Sequence, residues 1–230
     1  MVPEWLRFAA LAVMFLGAGV SDLRTRRVPN RYWFPFAGLA ALFLGADLIG
    51  GAAGRWPYLA GAAALCGAFW AFWRLGLFGG ADAKGLMVVA WLAPWPWEGA
   101  AGPVTVPVVD ILVDGTLAAP LVPMVLAAWN LARGRWAGWA TFLGYPQDIA
   151  LARGRHVWPM ERVRDGAIVR KYWQRMGDDF DAVYDALAAA GRTTVWVTPK
   201  LPLMLLLALG LASFWLGNLV LFLVARLTSA

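Results

Sequence analysis

The chain has 230 residues, of which 61% are hydrophobic and only 15% charged, and its mean hydropathy is +0.61. Soluble domains carry about a quarter of their residues as charges, so an ordinary soluble domain is excluded and a membrane protein is indicated. Fifteen Trp fit that reading, because indole rings favour the boundary between headgroups and hydrocarbon. One cysteine, Cys66, and one histidine, His156, exclude a disulfide framework, a CxxC metal site and a multi-histidine metal centre.

Six apolar windows approach the ~20 residues that a spanning helix needs. They fall at roughly 5–22, 32–50, 57–74, 78–97, 106–131 and 201–225. The first, within "MVPEWLRFAALAVMFLGAGV", reads as a membrane helix and not as a cleaved signal, because its charge order is wrong and no small-residue cleavage site ends it. Of the 20 Lys and Arg residues, all but Arg7, Arg55 and Arg226 lie in the linker after the first window, just before the fourth, or in residues 132–200. By the positive-inside rule that side is cytoplasmic, which accounts for the charge of +6 without nucleic acid.

The expected fold class is an all-α polytopic membrane protein, with six transmembrane helices and a small α+β cytoplasmic segment inserted before the last helix. Its expected division is 1–131 for five spans, 132–200 for the cytoplasmic segment, and 201–230 for the sixth span and an outer tail. Within the segment, "GDDFDAVYDALAAAG" puts Phe180, Val183, Tyr184 and Leu187 at helical spacing, with Asp178 as N-cap and Gly191 as stop. "TTVWVTPK" reads as a strand closed by Pro199, and residues 154–173 as a hairpin. Trp91, Trp95 and Trp97 read as an outer-interface belt. Gly38, Gly61 and Gly67 read as close helix contacts, and Cys66 as a small packing residue.

Counting spans brings two carboxylates to one boundary. The first span runs inward and ends at "SDLRTRRVPN"; the fourth starts inside at "FGGADAKG", so Asp22 and Asp82 share the cytoplasmic edge. Only residues 85–97 follow Lys84 before the next polar linker, so the fourth span must draw Asp82 and Lys84 into the membrane or its edge. An ionisable group at the centre of a span costs roughly 2.5–3.5 kcal/mol on the insertion scale and marks a functional site by default. Two carboxylates held close share a proton, which lets one activate water while the other protonates a carbonyl oxygen.

"SDLRTRRVPN" resembles the D-x-x-x-R-x-I/V-P-N signature of prepilin peptidases, and "FGGADAK" resembles their G-x-G-D-x-K box, with Ala81 at the second glycine. "VWVTPKLP" before the last span is similar to the archaeal branch, the preflagellin (archaellin) peptidases, and the likeness covers essentially the whole chain. The resemblance implies a GxGD aspartyl protease without cofactor or metal, its catalytic pair Asp22 and Asp82. Arg26, Pro29, Asn30, Gly79, Gly80 and Lys84 would support the site or bind substrate. It further implies a multi-pass plasma-membrane enzyme cutting prepilin or archaellin precursors at the cytoplasmic face. Other readings are a presenilin-like intramembrane protease, whose P-A-L motif is missing here, and an ion-coupled transporter using the same charges. Asp110 and Asp114 form a rival pair at i, i+4 spacing, which the topology assigns to the outer end of the fifth span.

Overall fold

The computed structural model describes residues 1–97, 106–117, 119–172, 178–218 and 226. The chain divides into two compact units, Met1–Ala118 with Pro202–Ala230, and Ala119–Leu201.

The first unit is helical. It comprises α1 (Glu4–Thr25), α2 (Trp33–Ile49), α3 (Trp56–Arg74), α4 (Gly80–Leu92), α5 (Pro107–Thr116) and the late helix Leu203–Trp215, with short 3-10 turns at Asn30–Tyr32 and Ala52–Arg55. Leu11, Met14 and Phe15 of α1, Leu86, Val89 and Leu92 of α4, Ile111 of α5, and Leu207, Leu211 and Phe214 of the late helix form the core. By length and composition Glu4–Thr25, Asn30–Ile49 and Pro107–Leu131 can cross a membrane, and Leu203–Trp215 is a shorter apolar helix. α4 has only 13 residues, about 20 Å at 1.5 Å per residue, and residues beyond it, Ala93, Trp95 and Trp97, are buried.

The second unit contains, in order, α6 (Leu121–Leu131), α7 (Ala140–Leu143), β1 (Tyr145–Asp148), α8 (Ile149–Arg153), β2 (Val157–Pro159), β3 (Glu161–Arg164), β4 (Ala167–Arg170), α9 (Phe180–Ala189) and β5 (Thr194–Pro199). The late helix, closing the series, is α10. β5 is the middle strand of an antiparallel sheet in the order β1-β5-β2, with Tyr145 opposite Val197 and Val157 opposite Pro199. β3 and β4 form a separate hairpin, turned by Asp165 and Gly166 at positive φ, as a two-residue I′-type loop requires. Ile149, Val157, Tyr184, Leu187, Val195 and Val197 make this unit's own core.

Most local expectations hold, with definite departures. The helix around Phe180 buries Tyr184 and Leu187, but its N-cap is Asp179, whose Oδ1 accepts from Ala182 N–H at 3.1 Å; Asp178 pairs with Arg162 instead. The window 106–131, apolar apart from Asp110, Asp114 and a few neutral polar residues, is built as α5 and α6, with Pro120, which lacks the N–H needed to carry one helix through, at the N-cap of α6. Trp95 and Trp97 are not a lipid-facing belt: both are buried, and Trp95 Nε1 donates to Asp47 Oδ2 at 2.7 Å. Among the described residues, a Cβ at Gly38, Gly61 or Gly67 would meet nothing within 4 Å, so none marks a close helix contact there. The close approach lies between α5 and α10, where a Cβ on Gly115 would stand 2.7 Å from Leu206 O and one on Gly210 2.6 Å from Gly115 N. The end of the sixth window and the last residue of the 154–173 hairpin lie outside the described residues.

Candidate active site

Asp22 stands in the last turn of α1, where the apolar sequence gives way to "SDLRTRR". Arg26 ends that helix in the left-handed conformation (φ 54°), its N–H donating to Asp22 O at 3.0 Å. One turn apart, the Arg26 guanidinium lies 3.8 Å from the Asp22 carboxylate. Ser21 Oγ and Thr25 Oγ1 donate to Arg27 O at 2.7 and 3.0 Å, which fixes the chain as it leaves the helix. Pro29 continues extended (ψ 146°), and Asn30 opens the 3-10 turn leading to α2. Tyr32 Oη then donates to Met14 O at 2.7 Å and ties this turn back to α1.

Asp82 occupies the third position of α4, where a helix N-terminus favours negative charge. Its Oδ2 accepts Gly79 N–H at 3.0 Å, and a Cβ at Gly79 would sit 2.6 Å from that oxygen. A side chain at Gly79 would have to push the Asp82 carboxylate aside, although Gly79 itself has ordinary backbone angles (φ −66°). Gly80 meets the edge of Trp73, whose indole nitrogen would be 3.3 Å from an added Cβ. Ala81, at the variant position, lies inside the helix and needs no special backbone.

The structure brings the two motifs together. Lys84 Nζ donates to Asn30 Oδ1 at 2.6 Å, joining α4 to the turn that follows α1. The same ammonium lies 6.0 Å from the centre of the Trp73 ring. Asp22, in the last turn of α1, and Asp82, in the first turn of α4, therefore share one end of the helical unit. Both side chains are partly buried.

Asp110 and Asp114 are not part of this patch. Leu205 packs on Gly19, near Asp22, whereas ten residues later Trp215 stacks on Phe8 at 4.3 Å, so α10 runs antiparallel to α1. Ser213 Oγ donates to Asp114 Oδ2 at 2.6 Å, which places Asp114 towards the far end.

Two features escape a sequence reading. Trp73, at the end of α3, packs on both Gly80 and Lys84; no spacing rule links it to either motif. At the opposite end, Arg7 and Asp47 form a fully buried ion pair. Arg7 also donates to Leu92 O, and Asp47 accepts from Val2 N–H at 2.6 Å as well as from Trp95. The signal was present: an Arg in the first span and an Asp in the second share the outer depth by the same count of helices that pairs Asp22 with Asp82.

These features describe a helical membrane protein that gathers two acidic side chains, a lysine and an asparagine from separate helices at one end of its bundle. The type IV leader peptidase family model matches residues 9–129, more than half of the chain, and the chain belongs to that family. It is thus a peptidase of the kind that removes leaders from prepilin-like precursors. No curated protein matches the chain.

Proposed function

We propose that the chain is an aspartyl endopeptidase in which Asp22 and Asp82 act as one acid-base pair. The observation that carries the reading is the convergence of the α1 terminus and the α4 N-terminus, linked by the Lys84–Asn30 hydrogen bond, which puts Asp22 and Asp82 at one end of the helical unit. Two nearby carboxylates resist double ionisation and titrate as a unit. The ionised member takes a proton from water as it attacks the scissile carbonyl carbon; the neutral member gives its proton to the carbonyl oxygen. The carboxylates return to their starting charge once the amine leaves with a proton. No metal or cofactor takes part in this sequence of steps.

Gly79 lets its N–H reach Asp82, and Gly80 admits Trp73 against the same turn. Arg26 holds the Asp22 side, Pro29 extends the chain, and Asn30 holds Lys84 where the two motifs meet. The substrates are type IV prepilin-like or archaellin precursors, cut between a short basic leader and a hydrophobic helix. The charge distribution supports six spans with this end of the bundle at the cytoplasmic face of the plasma membrane.

The test is leader cleavage of an archaellin or pilin precursor by purified wild type, Asp22→Asn, Asp82→Asn and Asp110→Asn proteins. Wild type and Asp110→Asn should shorten the precursor. The other two should lose at least the ~10²-fold that general acid-base groups contribute. Equal cleavage by all four would overturn the assignment.

A further inference from the structure

We propose that the segment from Trp129 to Phe142 is a membrane-docking surface that seats in the headgroup layer of an anionic lipid leaflet. The inference concerns the second unit alone and does not depend on the paired-aspartate chemistry.

The segment is a built surface. Asn130, at the end of α6, is completely buried and donates through Nδ2 to Thr141 O at 2.9 Å and Gly144 O at 2.7 Å. Thr141 Oγ1 accepts from Ala137 N–H at 2.8 Å, and Ala137 O accepts from Arg170 Nη1 at 2.9 Å. Gly134 and Gly138 turn the chain at positive φ (67° and 64°). These bonds hold α7 against α6 and fix the loop between them.

What the loop displays is apolar and basic. Trp136 is 67% exposed and Trp139 74%, yet both lean on one ring, Phe142, at 6.3 and 6.0 Å. Arg133 stacks over Trp129 at 4.1 Å and Arg135 approaches the same ring at 5.4 Å. Among the described residues neither arginine has an acidic partner within ion-pair distance. A hydrogen-bonded loop that keeps two indoles and two guanidiniums outward matches a layer with apolar depth below and phosphate above.

Continuity with α6 favours lipid over a soluble partner. Leu121, Met124, Val125 and Leu131 of that helix are all more than half exposed, as a lipid-facing helix requires, and Pro107–Leu131 is long and apolar enough to span. The loop begins where this apolar surface stops, at the depth where tryptophan and arginine are most favourable. Each basic side chain near an anionic surface adds to the attraction.

The test uses the full-length protein with Cys66→Ala, so that one nitroxide label can be placed at a time at W136C, W139C or R164C. Arg164 lies beside the β3–β4 turn with its side chain 80% exposed and serves as the aqueous reference. Neither exposed tryptophan is a core residue, and thermal unfolding of each labelled protein should match the Cys66→Ala parent. In nanodiscs of phosphatidylglycerol, labels at 136 and 139 should be more accessible to oxygen than to a water-soluble nickel chelate, with the reverse at 164. Replacing Arg133 and Arg135 together by Gln should move both labels outward in phosphatidylglycerol and leave them unchanged in phosphatidylcholine. Labels at 136 and 139 that behave like the one at 164 would overturn the docking surface. Depths insensitive to lipid charge and to the double Gln variant would overturn its anionic preference.

Discussion

Single side chains in this molecule are worth what their surroundings leave uncompensated. Arg7 and Asp47 are buried together, so removing one partner strands a charge; Arg7→Met should cost about 3–5 kcal/mol. The double variant Arg7→Met/Asp47→Leu should recover part of that loss, because it strands neither charge although it takes a partner from Val2 N–H, Trp95 Nε1 and Leu92 O. Denaturant unfolding in detergent of the two single variants and the double one checks this, and additive losses would refute the pairing. Tyr184 offers an opposite case in the second unit. Its hydroxyl is buried with no hydrogen-bond partner among the described residues, and burial pushes its pKa up to about 12. An unfolded tyrosine titrates near 10, so above that pH the unfolded chain binds fewer protons than the folded one and stability falls as pH rises from 10 towards 12. Tyr184→Phe should flatten that dependence in a pH series of thermal unfolding. At pH 7 it should be neutral or stabilising, since no hydrogen bond is lost.

At the scale of elements, the crossing of α5 and α10 is set by glycine. Gly210 lies so close to the backbone of Ile111 and Gly115 that a methyl group cannot be added without moving a helix. Gly210→Ala should therefore destabilise by about 1–3 kcal/mol, the range for overpacking, whereas Gly38→Ala, facing open space, should leave the melting temperature unchanged or raise it. Sequence periodicity located most elements because each unit's local preferences agree with its fold. The β-branched run Thr194–Pro199 is the central strand, and the face of Phe180–Ala189 marked by Tyr184 and Leu187 is the buried one. Which glycines sit at crossings was not legible, because Gly38 and Gly210 have equally apolar neighbourhoods and only tertiary packing tells them apart. Trp95 misled for a related reason: its ring suits an interface, but a buried carboxylate on α2 claimed its N–H.

Across the whole molecule, the motif pair was the most legible part of the candidate site. Asp22 and Asp82 could be brought to one end simply by counting apolar windows, and Asn30 and Lys84 belong to those motifs. Their mutual bond, and the part played by Trp73, needed coordinates, because contacts between helices carry no sequence spacing. The architecture has a further effect on how the protein is made. α10 packs along α1 from Gly19 to Phe8 and closes on α5 at Gly210, yet it follows the entire second unit in the chain. A ribosome that has translated through Lys200 has already delivered both aspartates to the membrane, but the helix that steadies α1 has not emerged. A chain made only as far as Lys200 thus lacks the apolar side chains that Leu203–Trp215 adds to the core around α1 and α5, and should unfold more readily than one that includes them.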